Sequence, residues 1–317
     1  MHYQAWGAGD PVIALHPLAL ESSMFAGVAR EPAAQGFRAL AADLPGFGRT
    51  PTPVGALTPA CLAEPVIELA RSLEKPPILL GMSLGGRVTL EAALLAPDAY
   101  RGVVCGAPSL EWRRARWALT FACGIDPAWS ERLPLERAWP WLKKAADAIE
   151  AVPQLEHNWL ARASVPVIYY SSCPAARVSF LSASREMALD PAFGPHGLRA
   201  RLAGFRTPAS FLWAGRDWLI PREHARHVAE TIPPALWLEV PCAGHFVNGV
   251  HYRYFEHAMA LAVAHTADAA RARSSSRRAR RLLTPCLAGE APSAPERTPS
   301  EPAQAPAERR AAEGGSR

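Results

Sequence analysis

The sequence contains no paired cysteine motif: its six cysteines, Cys61, Cys105, Cys123, Cys173, Cys242 and Cys286, are scattered without one C-x-x-C. That spacing supports neither a disulfide framework nor a zinc knuckle, and it fits a reducing compartment. Long apolar runs are also missing, none reaching the roughly 18 residues that a membrane-spanning helix requires. The opening MHYQAWGAGDPVIALHP has no basic segment ahead of a long apolar one and no small-residue cleavage site, so no signal peptide is expected. A cytoplasmic protein without a membrane partner is the expectation.

Excess charge is absent from the body of the chain. The formal net charge is +5, but residues 271–317 carry ten arginines and five acids, which leaves 24 basic and 24 acidic side chains elsewhere. A neutral body argues against a basic groove for nucleic-acid phosphates.

What is present is 49% apolar residues in a chain of 317, enough for one large α/β core or two smaller ones. From Arg273 onward the composition turns to Ala, Pro, Glu, Arg and Ser, with six prolines after position 284. Such a segment buries too little apolar surface to offset the entropy of ordering it. Residues 273–317 are therefore expected to be a disordered tail, its arginines solvated rather than gathered for an anionic partner.

Within the body, short apolar runs alternate with helix-length amphipathic stretches, the pattern of strand-helix repeats and a parallel sheet. Strands are predicted at Val12–Leu15, Arg38–Ala42, Pro77–Gly81, Gly102–Gly106, Ala209–Ala214 and Leu236–Val240. Between the fourth and fifth lies a stretch with helical periodicity, many breakers and one short apolar run at Val165–Tyr170. The predicted organisation is an α/β fold with a mostly parallel central sheet and flanking helices. Its first part spans 1–108, a helical cap insertion 109–205 and the second part 206–272. Six of the ten tryptophans, Trp112, Trp117, Trp129, Trp139, Trp141 and Trp159, fall in the insertion. Most are expected to anchor small helices by packing, and one or two to line an apolar substrate pocket.

The most informative stretch is PPILLGMSLGGRVTLEAALLAP, residues 76–97. A serine between glycines two residues away on either side suits a strand-to-helix turn too tight for side chains at the flanking positions. Gly81 and Gly85 meet that demand around Ser83, an apolar strand precedes it, and a helix-forming run ended by Pro97 follows. Such a turn sets the Ser83 hydroxyl at the carboxyl edge of the sheet, beside backbone N–H groups of a helix N-terminus. A serine hydroxyl needs a base to act as a nucleophile near neutral pH. His245, in WLEVPCAGHFVNG just past the last predicted strand, would emerge at the same edge. The base needs a carboxylate to fix its tautomer, and Asp217, in ASFLWAGRDWLIP directly after a strand, supplies one; Glu111 is an alternative acid.

Other residues are read more plainly. His2, His157, His196, His251, His257 and His265 are expected to be packed or surface residues. His224 and His227 have metal-ligand spacing but no third ligand nearby, so no metal is expected. Asp43, in a Pro-Gly turn, is expected to be structural, and the EWRRARW run at 111–117 a charged helix face.

The segments VIALHP (12–17), ALAADLPGFGRT (39–50), ILLGMSLGGRV (78–88), FLWAGRDWLIP (211–221) and VPCAGHF (240–246) together resemble the α/β-hydrolase superfamily. The likeness is to its capped members related to small esterases, enol-lactonases and cofactor-free haloperoxidases, and it runs from residue 7 to about 265. It implies the α/β-hydrolase fold and an oxyanion hole formed by the backbone N–H groups of Leu18 and Leu84. Two departures stand out. Relatives usually have His-Gly where this chain has His16-Pro17, and they begin with an antiparallel hairpin of which the first eleven residues can form only one strand.

The resemblance implies a serine hydrolase that cleaves a carboxylic ester or lactone of a small apolar molecule through an acyl-enzyme. No cofactor is implied, and a monomer or homodimer is expected. Serine at the elbow argues against the aspartate-dependent dehalogenases and epoxide hydrolases of the superfamily, despite Tyr169 and Tyr170 in the insertion. A C–C bond hydrolase, an acyltransferase or a perhydrolase would use the same three residues. A non-catalytic ligand-binding protein on the same scaffold remains the alternative from another class.

Overall fold

The computed structural model describes residues 1–110 other than 28 and 30–35, parts of 126–148, and residues 173–190, 197–217, 220, 228 and 230–232. It also describes residues 235–245 other than 242, and 249–267. The tail predicted at 273–317 lies outside these.

Among the described residues seven strands form one sheet: β1 (Tyr3–Trp6), β2 (Asp10–Leu15), β3 (Phe37–Ala42), β4 (Ile78–Met82), β5 (Gly102–Gly106), β6 (Ala209–Ala214) and β7 (Ala235–Val240). Their order is β1-β3-β2-β4-β5-β6-β7. β1 runs antiparallel to β3, with Tyr3 opposite Ala42, and the other pairings are parallel. All six predicted strands are found, their ends within two residues of the expected ones. The N-terminal segment makes the one strand that its length allows.

Strands β2, β4, β5 and β6 are largely apolar runs because the sheet is covered on both faces there. Ile13, Leu15, Leu40, Leu79, Val103 and Phe211 pack on one side, among residues of helices α1 (Pro59–Arg71) and α2 (Leu84–Leu95). Val12, Ala14, Leu80, Val104, Leu212 and Leu238 pack on the other, with Met259, Ala262 and Val263 of the last described helix (Gly249–Ala267). Helix α1 starts cleanly because Thr58 accepts a hydrogen bond from the Cys61 N–H at 3.1 Å and Pro59 occupies its first turn.

From the stretch predicted as an insertion, the described helices are α3 (Pro127–Ser130), α4 (Pro174–Leu189) and α5 (Leu198–Leu202). The predicted run at Val165–Tyr170 lies outside the described residues, as do Trp112, Trp117, Trp139 and Trp159. Trp129 and Trp141 are 54% and 73% exposed, so neither of these two is a buried packing anchor.

Helix α2 is buried along nearly its whole length, charged residues included. Buried charges require partners, and Arg87 has two. It donates to Glu91 at 2.7 Å and, through Nε and Nη2, to Asp190 at 3.0 and 2.7 Å. Arg201 of α5 completes the cluster with a two-pronged contact to Glu91. Two guanidinium groups and two carboxylates thus join α2 to the end of α4 and to α5. Burial alone would raise the Glu91 pKa, but the hydrogen bonds from Arg201 and the charge of Arg87 outweigh it and hold this carboxyl below its ordinary value. Two serine contacts add to the attachment of α4: Ser179 bonds Thr52 at 2.8 Å, and Ser182 accepts from the Leu57 N–H at 3.0 Å.

Replacing Glu91 with alanine removes the carboxylate partner of Arg201 and one of the two partners of buried Arg87, which keeps Asp190, and is expected to cost about 3 kcal/mol in urea unfolding. The wild-type carboxylate contributes its stability above its unfolded pKa and loses it as pH falls through the lower folded one. The stability difference between wild type and Glu91→Ala should therefore shrink in acid. A variant with an unchanged urea midpoint would contradict the role given to this cluster.

Candidate active site

The parallel strands place their carboxyl ends together, Leu15 of β2 beside Gly81 of β4, Met82 beside Gly106 of β5, and Gly106 beside Leu212 of β6. The strand order reverses between β2 and β4, the kind of crevice in which open α/β sheets bind ligands. Ser83 follows β4 directly with φ 51°, a left-handed conformation that is costly for a residue with a side chain. The turn is possible because of its glycines. A methyl group on Gly81 would press into the Gly85 carbonyl and the Thr89 hydroxyl, and one on Gly85 into the Leu15 carbonyl. The Ser83 N–H donates to the Gly106 carbonyl at 2.8 Å, and its own carbonyl accepts from Arg87 at 3.0 Å as the first turn of α2.

Two loops meet this turn. Asp217 follows β6 and His245 follows β7, and the loops are braced by hydrogen bonds from Gly215 to Val240 and from Arg216 to Ala243, each 2.9 Å. His245 Nδ1 lies 2.7 Å from Asp217 Oδ2, and His245 Nε2 lies 3.1 Å from Ser83 Oγ. The Asp217 and His245 side chains are 0% and 5% exposed. The second Asp217 oxygen accepts from the Ile220 N–H at 2.8 Å. A carboxylate only accepts hydrogen bonds, so the imidazole donates from Nδ1 and leaves Nε2 to accept the Ser83 proton. The three residues singled out from the sequence, far apart in the chain, are thus within hydrogen-bond reach of one another.

The loop after β2 carries Leu18. Here His16, fully buried, uses both ring nitrogens: Nε2 accepts from the Leu44 N–H at 3.0 Å, so Nδ1 holds the proton and donates to the Pro17 carbonyl at 2.7 Å. In a trans peptide the carbonyl and the next N–H point in opposite directions. Pinning the Pro17 oxygen therefore fixes the direction of the Leu18 N–H. Among the described residues neither the Leu18 nor the Leu84 N–H has a hydrogen-bond partner.

A sequence model of the Alpha/beta hydrolase family matches residues 12–262. The chain belongs to this family. It is 28% identical over 260 residues to the pimeloyl-[acyl-carrier protein] methyl ester esterase of Chromobacterium violaceum, covering 80% of this chain and 94% of that one. It is 26% identical over 254 residues to the Edwardsiella ictaluri protein of the same description, covering 77% and 90%. Among solved structures it is similar to a hydrolase from Pseudomonas aeruginosa, with TM-score 0.61 at 24% identity and coverage of 83% and 93%. The enol-lactonase of Burkholderia xenovorans also shares the fold, with TM-score 0.57 at 17% identity and coverage of 89% and 96%.

In this member of the alpha/beta hydrolase family His16 is followed by Pro17. A positive φ falls on Ala19, at 62°, and the Pro17 carbonyl is the group that His16 holds. Burial pushes the His16 pKa below its ordinary value of 6.5, which favours the neutral ring that this pair of bonds requires. Asp43 is structural, as expected of it: its carboxylate accepts from the Ser22 and Arg49 N–H groups at 2.7 and 2.9 Å and pairs with His2 at 2.8 Å.

Glu111, the EWRRARW run, Tyr169, Tyr170, His157, His196, His224 and His227 lie outside the described residues, as does the His251 side chain. Among the described residues no cluster of three or more His, Cys, Asp or Glu could hold a metal ion. Likewise no described helix is long and apolar enough to cross a membrane. Sequence reasoning missed the positioning action of His16 and the presence of Ser109, whose hydroxyl lies 3.2 Å from that of Ser83. The signal for Ser109 was its place three residues past β5, at the same sheet edge.

His16→Phe keeps a ring beside Phe47 but removes both hydrogen bonds. On the proposal that the Leu18 N–H meets an oxyanion, and because losing one such donor lowers kcat by about 10²–10³ in other hydrolases, this variant is expected to lower ester-hydrolysis kcat by roughly ten- to a hundredfold with little change in KM. Unchanged kcat would separate His16 from the Leu18 N–H. In the wild type, folded His16 resists the proton that unfolded His16 accepts, so its effect on stability is to lower it as pH falls below 6.5.

Proposed function

We propose that this chain is a serine hydrolase that cleaves a carboxylic ester or lactone of a small, apolar substrate through an acyl-enzyme. The observation that carries the reading is the continuous contact from Asp217 through His245 to Ser83, at 2.7 and 3.1 Å. Ser83 Oγ attacks the substrate carbonyl while His245 Nε2 takes its proton, and Asp217 holds the imidazole and stabilises its cation. The charge that develops on the carbonyl oxygen is met by the Leu18 and Leu84 N–H groups, the second at the N-terminus of α2. The protonated His245 then gives its proton to the leaving alcohol. Water, deprotonated by the same ring, attacks the acyl group and releases Ser83.

The described helices α4 and α5 of the stretch predicted at 109–205 are read as part of a cap. The support is the anchoring of α4 and α5 to helix α2 and to the loop at 52–57. For substrate class, both curated relatives described above are named as esterases of a methyl ester on a carrier-bound acyl chain. Methyl esters of acyl chains therefore belong in the first substrate panel, beside aryl esters and lactones.

The reading is tested by fluorophosphonate labelling and by hydrolysis of p-nitrophenyl esters. Wild type is expected to be labelled and active, while Ser83→Ala and His245→Ala lose both; the loss in kcat is on the order of 10⁴-fold or more for either, by analogy with other triads. Asp217→Asn keeps the shape but can hold the wrong tautomer, and is expected to lose about 10⁴ in kcat. Labelling that persists in Ser83→Ala would remove the proposed nucleophile.

A further inference from the structure

Among the described residues the hydroxyl of Ser83 has two hydrogen-bond neighbours. One is His245 Nε2 at 3.1 Å, and the other is Ser109 Oγ at 3.2 Å. A serine hydroxyl has one proton and two acceptor lone pairs. With the Ser83 proton directed at His245, the contact to Ser109 can be made only if Ser109 donates. We propose that Ser109 is a positioning residue, its O–H held to one lone pair of Ser83 Oγ so that the nucleophile's own proton is directed at His245. This rests on the reading of Ser83 as nucleophile and adds a fourth side chain to the proposed reaction.

The backbone makes the contact a built one. After β5 the chain is redirected at Ala107, whose φ is 40°. The Ala107 N–H is held by the Leu212 carbonyl at 2.8 Å, the Ser83 N–H by the Gly106 carbonyl at 2.8 Å, and the Ser109 N–H by the Ser83 carbonyl at 3.1 Å. Ser109 is thus tied by its backbone to the residue that its side chain touches. Its own side chain is in a buried residue, 7% exposed, where water competes poorly for the hydroxyl.

Two steps benefit from such a donor. Before acylation, a free hydroxyl rotates among staggered positions, and only one presents its proton to His245; a donor on the opposite lone pair favours that one. In deacylation the bond between the acyl carbon and Ser83 Oγ breaks, the electron pair stays on Oγ, and the His245 imidazolium returns the proton. Ser109 donates to the oxygen that gains charge, while no bond to Ser109 forms or breaks.

The test compares wild type, Ser109→Ala and Ser109→Thr by the rate of fluorophosphonate labelling at Ser83 and by steady-state hydrolysis of a p-nitrophenyl ester. A neutral hydrogen bond of ordinary strength corresponds to a loss of about three- to tenfold. Ser109→Ala is expected to slow labelling and lower kcat by that factor with KM and Tm unchanged, and Ser109→Thr to restore both rates. Labelling of Ser109→Ala at the wild-type rate would overturn the proposal. So would a rate loss matched by a fall in Tm, or failure of a threonine variant with wild-type Tm to restore the rate. A wild type unlabelled at Ser83 would instead remove the hydrolase reading, and this proposal with it.

Discussion

The left-handed backbone at Ser83 is the constraint from which the rest of the site follows. A hydroxyl stands clear of the carboxyl edge of a parallel sheet only if the chain turns into its helix within about one residue. At Ser83 it does so at φ 51°, a strain on the order of 1–3 kcal/mol that the surrounding structure must hold in place. Gly81 and Gly85 let helix α2 rise against β2 so closely that Gly85 has no room for a methyl group beside the Leu15 carbonyl. The same closeness brings the Leu84 N–H to the edge where the loop of Leu18 ends. Relaxing the turn would withdraw the hydroxyl and an N–H donor together.

A second consequence is electrostatic. A helix drawn this far into the molecule has little solvent face left, so its Arg87 and Glu91 must find partners inside. They find each other, Asp190 and Arg201, and the cluster balances two positive with two negative groups. The Asp217 and His245 pair is of another kind, because its imidazole keeps one nitrogen uncommitted to the carboxylate and turned toward Ser83. The first cluster fixes helices in place, and the second leaves a proton acceptor available.

The sheet was readable because strands buried on both faces are short apolar runs bounded by turn residues, and all six runs chosen on that basis are strands. The meeting of Ser83, Asp217 and His245 was readable because each follows a strand, and parallel strands deliver such loops to one edge. The Arg87 cluster was not. The spacing of Arg87 and Glu91 is visible in the sequence, but Asp190 and Arg201 lie more than a hundred residues away, and nothing local marks them as partners. Ser109 was marked only by its place three residues past β5, and a serine after Pro108 resembles an ordinary turn until β5 is set beside β4. The exposure of Trp129 and Trp141 shows the limit of composition, which counts apolar rings without saying what they cover.

The central claim is that Ser83 carries the acyl group between two chemical steps. Rapid acid quench of wild-type protein during turnover of a p-nitrophenyl ester, followed by peptide mass spectrometry, measures this directly. The expected result is the mass of the acyl group on the peptide containing Ser83, absent when turnover is complete. Turnover with no such adduct, in a protein that shows no burst of p-nitrophenol, or an adduct found on another side chain, would contradict it.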